Sequence, residues 1–512
     1  MNIENVGGAG HSRATSVPPW VLLGGLVVAC GLAVMLPPPY AEFVIVVSTA
    51  LVGLALVGTR GTKADPRVLA KPSVAPELVL LPLAVSIRQS PMLLLAAVGI
   101  VAFIALARRR QVRRPFRVSG PLLVLVAAAA IVLVRNLPAA LLLIAIVATV
   151  GISLVKTSKE AAVNSLLDGL ALYMFANIAG WIVGLQSPAA LVRIGGYESS
   201  LLFSERVLFP FTRSINEGSI VAVGYLAALA ALRFTGHRTG NLHRAGALAA
   251  GIVILASNSR VAGVMCVVVI AALALADRWG PRILIGLAGA MAVLPLALTR
   301  MQPTLDWAAE RLATLDVISR GQSAEQISGL GTRGGIWTGA WNYWLQSNLP
   351  LSNRMFGWGP NGHVSSGANS SYVAGRTGFL SDTSALTTHS WVLQQLFDAG
   401  IIGVLLLACG LVWLLARLLR DETLRPLAVA TIGLAVASCL EVSLAPGATT
   451  TAFFLVLTFA ALADGASTMD GDDAHLDSNI RANRARRPET EFRANQRTDR
   501  SLGSGSMSVG DR

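Results

Sequence analysis

The chain has 512 residues, of which 54% are hydrophobic and 13% charged, and its formal net charge is +13. Mean hydropathy is +0.61. These values exclude a soluble globular chain and describe an all-α polytopic membrane protein, because a backbone exposed to lipid must satisfy its own hydrogen bonds. The cation surplus does not point to nucleic acid, since Arg and Lys concentrate in short loops between apolar runs, as cytoplasmic loops do.

In chain order, residues 1–17 are a cytoplasmic tail, and spans one and two run Pro18 to Leu36 and Tyr40 to Gly58. The Pro37-Pro38-Pro39-Tyr40 junction, with no small-residue cleavage site, speaks against a secretory signal. A basic loop (Arg60, Lys63, Arg67, Lys71) precedes Val74 to Ala107, which Arg88-Gln89-Ser90-Pro91 interrupts. That stretch ends in the densest positive cluster of the chain, from Arg108 to Arg117, and reads as a tight hairpin of two short spans or as one long kinked helix.

Spans five and six, Ser119 to Val134 and Pro138 to Val155, are followed by Lys156 and Lys159. Span seven is Ala161 to Leu185, and an outer loop then leads to span eight, Asn216 to Arg233. His237, Arg238, His243 and Arg244 form the next inner loop. Ala245 to Ala276 is apolar except for Ser257-Asn258-Ser259-Arg260, and both its ends are basic. It must therefore be a hairpin with Arg260 at the outer turn. Limbs of about sixteen residues span roughly 24 Å against a core of roughly 30 Å, so the turn is sunk below the surface, where an arginine needs an anion or water.

Span eleven, Ile283 to Thr299, completes a bundle over residues 18–299. A large, partly helical extracytoplasmic loop, residues 300–388, follows it. Within the loop, Thr304 to Ile318 has the spacing of a helix lying on the membrane surface, and Gly335 to Leu345 is rich in Trp and Tyr. Phe356 to His363 is a glycine turn. The last three spans, within residues 389–463, are His389 to Ala416, Leu427 to Leu444 and Thr450 to Ala463, and residues 464–512 read as a disordered cytoplasmic tail. The total is about fourteen spans with both termini inside, and it places all four lysines in inner loops.

Topology narrows the search for chemistry. Of six histidines, only His363 and His389 face outside, and His389 stands where the loop becomes a helix. Gln394 and Asp398 follow on that helix, and a carboxylate at that depth is costly unless it is paired or faces water. Arg206, Arg213 and Arg260 lie on the same side, and guanidinium forks suit phosphate oxygens. The intramembrane acids Asp168, Glu217, Asp398 and Glu441 read either as counter-charges to such arginines or as ion-coupling groups of a transporter. Cys30, Cys266, Cys409 and Cys439 all fall in apolar runs, with no spacing suited to a metal.

Four stretches, in order, resemble the O-antigen ligase and polymerase superfamily of bacterial membrane glycosyltransferases. Arg206 to Asn216 is similar to the family's arginine before a Pro-Asn entry to the next span, with the proline displaced to Pro210. Ser259-Arg260-Val-Ala-Gly263 resembles its Ser-Arg-Gly. Arg333-Gly-Gly-Ile-Trp337 and Gly357-Trp-Gly359 resemble its Arg-to-Trp helix and Gly-x-Gly turn. His389-Ser390, with Asp398 and Gly400 to Gly403, resembles its His-Asn followed by an acid and Gly-x-x-Gly, with serine in place of the asparagine.

The resemblance implies transfer or polymerisation of a polyprenyl-diphosphate-linked glycan on the outer face of the cytoplasmic membrane, to a glycan, lipid or cell-wall acceptor. It implies His389 as base and Arg260, Arg206 and Arg213 as diphosphate ligands. Asp398, Arg333 and His363 would be supporting residues. No cofactor or metal is expected, because no Asp-x-Asp lies in an outer loop. Ligase and polymerase remain open alternatives, as do a lipid-linked glycan flippase and a non-catalytic cell-wall assembly scaffold.

Overall fold

The computed structural model describes residues 75–87, 91–109, 119–134, 136–154, 157–185, 187, 206–234, 240–275, 280–313, 333–346, 348–373 and 387–465. Both tails, spans one and two, and the cluster from Arg110 to Arg117 lie outside the described residues. Every regular element among those described is helical.

The apolar runs form α1 (Pro76–Ala84), α2 (Pro91–Arg109), α3 (Gly120–Leu133), α4 (Leu137–Leu154), α5 (Lys159–Ile182), α6 (Glu217–Phe234), α7 (Asn241–Ser257), α8 (Arg260–Leu275) and α9 (Gly280–Ala313). Four short helices follow: α10 (Arg333–Trp344), α11 (Leu351–Phe356), α12 (Gly362–Ser365) and α13 (Asn369–Val373). The chain closes with α14 (Trp391–Arg420), α15 (Arg425–Ala437), a 3-10 turn at Pro446–Ala448 and α16 (Thr451–Gly465). Ser119, Ser158 and Ser390 cap the N-termini of α3, α5 and α14 by accepting from backbone N–H groups one turn on.

The principal packing pairs are α6 with α15, α14 with α3, and α5 with α1 and α7. Small residues set the closest of these. A Cβ at Gly224 would lie 2.8 Å from Leu434 Cγ, and one at Gly433 would lie 3.4 Å from Gly224 Cα. Such approach substitutes for a hydrophobic drive between helices surrounded by lipid. Polarity is distributed accordingly. Phe103 (68%), Leu248 (70%) and Val412 (65%) are exposed, whereas Asn177, Glu217 and Asp168 are buried. Among the described residues, helices α5, α6 and α14 are long and apolar enough to cross a membrane, and seven further helices carry shorter apolar stretches of 10–17 residues.

The structure corrects several expected boundaries. The chain from Gly280 to Ala313 is one helix of 34 residues rather than a span followed by a separate surface helix. The periodicity of Leu305, Ala308 and Leu312 therefore belongs to an extension of α9, and Pro303 removes one donor without ending it. The span expected to reach Leu444 stops at Ala437, after which Ser438 to Thr450 turns repeatedly around Pro446 and Gly447. His243 is buried inside α7 rather than in a loop. The interruption at Ser257 to Arg260 separates α7 from α8, with Asn258 left-handed at φ 52°.

Helix α14 is broken at Gly400, whose φ of 67° lies in the left-handed region that glycine tolerates. The break turns the carbonyls of Phe397 and Asp398 away from their helical donors. Trp358 N (2.8 Å) and Gly359 N (2.9 Å) donate to them instead, which seats the 357–359 turn on α14. A second small core forms above this junction from Trp337, Trp344, Tyr372, Phe397 and Leu440.

Candidate functional site

Residues 206–216 re-enter the bundle beside α5. Asn177 Oδ1 accepts from Phe211 N (3.1 Å), Tyr173 Oη donates to Phe211 O (3.3 Å), and Phe209 and Phe211 are buried. Arg206 is thereby held against the end of α7, where its Nε donates to Ser257 O (2.9 Å). A guanidinium suits that position, because the last carbonyls of a helix lack intrahelical donors. Its Nη2 donates to Asn216 Oδ1 (3.1 Å).

Asn216 passes the connection on, since its Nδ2 donates to Glu441 Oε1 (2.6 Å). The same oxygen accepts from Arg333 Nη2 (2.8 Å), and Oε2 faces His389 Nδ1 at an ion-pair distance of 3.4 Å. Glu441 thus joins three distant parts of the chain: the 206–216 segment, α10 and the start of α14. It lies past the end of α15 and is buried, whereas the His389 side chain is 30% exposed. Burial pushes the Glu441 carboxyl up, but His389 and then Arg333 outweigh it and hold it down at about 2.

His389 does not stand on the helix itself. It precedes the cap Ser390, and its φ of 46° is left-handed, a region where a non-glycine residue is uncommon. Ser390 Oγ accepts from Leu393 N (3.4 Å), a capping role that serine and asparagine both fill. Serine at 390 therefore fills a capping position that asparagine would fill equally.

A second polar unit sits one turn deeper on α14. Asp398 Oδ1 accepts from Gly362 N (2.7 Å) and from Gln394 Nε2 (2.8 Å), and Gln394 Nε2 is 3.0 Å from His363 Nδ1. Asp398 is fully buried, and a Cβ on Gly447 would lie 2.2 Å from its Oδ2. His363 and Asp398 thus fasten the 357–363 turn to α14.

Of the expected site residues, His389, Arg333 and Arg206 are brought together through Glu441 and Asn216. Arg213 is placed on the adjoining segment, where its Nη1 donates to Ala448 O and to Thr449 Oγ1 (2.6 Å). Arg260 opens α8 at the turn beside Ser257, and its side chain lies outside the described residues. Two residues central to the geometry carried less weight in the sequence. Glu441 appeared only as a counter-charge or ion-coupling acid, and Asn216 only as part of a span entry. Among the described residues, no group of three His, Cys, Asp or Glu side chains converges as a metal site would.

No protein-family model, curated protein or solved structure matches the chain.

Chemically, the cluster offers a partly exposed imidazole whose Nδ1 is turned to a carboxylate, with the Arg333 guanidinium on that carboxylate's other oxygen and Arg206 one residue further along the chain of hydrogen bonds. A base oriented by a third group in this way is the arrangement found where a hydroxyl is activated.

Proposed function

We propose that the protein is a membrane glycosyltransferase of the O-antigen ligase or polymerase type, acting on a polyprenyl-diphosphate-linked glycan at the outer face of the cytoplasmic membrane. In this reading the chain crosses the membrane about fourteen times with both termini in the cytoplasm. The observation that carries the proposal is the His389–Glu441–Arg333 cluster, joined to Arg206 through Asn216.

With Nδ1 facing Glu441, Nε2 of His389 takes the proton of the acceptor hydroxyl. The acceptor oxygen forms a bond to the anomeric carbon of the donor as the bond from that carbon to phosphate oxygen breaks. The electron pair leaves with the polyprenyl diphosphate, and fixed guanidinium groups stabilise the charge developing there. In this reading Arg333, bonded to Glu441, and Arg206, joined to it through Asn216, supply such groups, with Arg260 and Arg213 as further diphosphate ligands.

The test is turnover of lipid-linked glycan, extracted from the membranes of producing cells, by the full chain in proteoliposomes. His389→Ala should abolish product; wild-type turnover in that variant would sink the catalytic assignment. Orientation has its own test. In a chain with its four native cysteines replaced by alanine, Ser370→Cys should react with an impermeant thiol reagent added to intact cells. Labelling only after lysis would overturn the sidedness.

One observation favours a transporter instead. Asp168 Oδ1 and His243 Nε2 lie 3.0 Å apart inside the bundle, and buried carboxylate–imidazole pairs serve proton-coupled transport. Under that reading, His389→Ala would leave lipid-linked glycan movement intact and His243→Ala would stop it.

A further inference from the structure

The left-handed backbone at His389 is fixed from both sides. Trp337 is fully buried on α10, one helical turn after Arg333, so one face of α10 carries both the partner of Glu441 and a contact to the histidine strand. Its indole Nε1 donates to Thr388 O (2.9 Å), and a buried indole N–H calls for such a partner. Thr388, also fully buried, closes the other side. Its Oγ1 donates across His389 to Ser390 O (3.0 Å), with Gln394 Oε1 as a second acceptor at 3.3 Å. Ser390 is in turn tied to α14 as its cap.

We infer that Trp337 and Thr388 are positioning residues, which hold residue 389 at φ 46° and so keep its imidazole turned to Glu441 without themselves touching substrate. A histidine released from these bonds returns to the extended or right-handed region that non-glycine residues prefer. Its Cα–Cβ direction then changes, and Nδ1 leaves the carboxylate. The strain is maintained from two sides, by Trp337 on α10 and by Thr388 in the segment that leads into α14. Docking of α10 therefore sets the geometry of the base as well as sealing the small core. The inference rests on the reading of His389 as base.

The experiment compares Trp337→Phe, Thr388→Val and Thr388→Ser with wild type in proteoliposomes. The substrate is the lipid-linked glycan extracted from producing cells. Trp337→Phe keeps the ring and loses the donor, and Thr388→Val keeps the shape and loses the hydroxyl. Each should lower kcat roughly tenfold or more, as misplacement of a reacting group does, while KM for the donor changes by less than about twofold. Thr388→Ser, which restores the hydroxyl, should recover kcat. Wild-type kcat in both Trp337→Phe and Thr388→Val overturns the inference, as does a Thr388→Ser enzyme as slow as Thr388→Val. If Trp337→Phe does not fold, the threonine pair decides alone. His389→Ala, run in parallel, separates the two readings. Loss of turnover there, with wild-type kcat in the other variants, removes the positioning role and keeps the base; retained turnover there removes both.

Discussion

Arg333 and Glu441 stand 108 residues apart in the chain and 2.8 Å apart in the fold. The pair matters beyond its own attraction, because the other oxygen of the same carboxylate faces His389. Glu441→Gln preserves the oxygen that accepts from Arg333 and removes the charge turned to the imidazole. Its kcat should fall by roughly tenfold or more, within the roughly 10²–10⁴-fold that a general base contributes, because the base itself is retained. Glu441→Ala also leaves Arg333 without its acceptor, and should lower stability further by about 2 kcal/mol. Initial rates and thermal unfolding of the two variants check this. A Glu441→Gln enzyme with wild-type kcat would show that the charge has no part in turnover.

The same carboxyl fixes the sign of a pH effect. Its folded value is about 2 against an ordinary 4.5, so the stability it contributes is complete above the ordinary value. That contribution, about 3 kcal/mol at most, is lost as pH falls from roughly 4.5 through 2. Unfolding midpoints of wild type and Glu441→Gln should therefore differ above the ordinary value of 4.5 and converge in acid. A gap that widens in acid would contradict the assignment.

Much of the architecture was legible because apolar runs of helical length have few other structures open to them in a membrane. The turn at Ser257 to Arg260 was legible for the same reason, since four polar residues inside an apolar run must be accommodated. The early end of α15 was not. Cys439 to Leu444 stays apolar on average, and only packing decides that Glu441 leaves the helix axis to meet Arg333. The expected end of span eleven at Thr299 failed in the opposite sense, because the helix runs on to Ala313 across Pro303, whose single lost donor the neighbouring bonds outweigh. At the site, His389, Arg206 and Arg333 stood out by residue type and motif. Glu441 was visible as an acid in an apolar run, but its partners come from three segments, and no local pattern encodes that convergence. The left-handed backbone of His389 is likewise set by Trp337 and Thr388, one of them 51 residues from the other.

Asn216 provides a sharper test of connectivity. Its amide must accept from Arg206 and donate to Glu441, which fixes its orientation and makes aspartate a poor substitute. Asn216→Asp sets a second carboxylate against Glu441 and removes a donor. Turnover should fall roughly tenfold or more, on the scale of about 1.5–3 kcal/mol for a lost hydrogen bond to a charged group. As the pH is lowered toward 5, the ratio of its turnover to that of wild type at the same pH should rise, because the new carboxyl takes a proton. An Asn216→Asp enzyme as active as wild type at neutral pH would separate Arg206 from the site.

The break in α14 is open to a direct test of necessity. At Gly400 the backbone has φ 67°, and a Cβ there would lie 2.3 Å from the carbonyl carbon of Met355, a backbone atom that cannot move aside as a side-chain tip can. Gly400→Ala should therefore cost stability by about 2 kcal/mol or more, through a strained dihedral and a displaced chain together. The displacement falls on the 355–359 segment, whose N–H groups occupy the carbonyls freed by the break. Protease sensitivity should rise at Leu351 to Phe356 in this variant before the bundle itself unfolds. Gly251→Ala is the control, because it lies within α7 with nothing within 4 Å of the added carbon. It should be neutral or stabilising by up to about 1 kcal/mol, as alanine is in a helix. Equal stability of the two variants would mean that the α14 break is incidental and that the 357–359 turn is held by its other contacts.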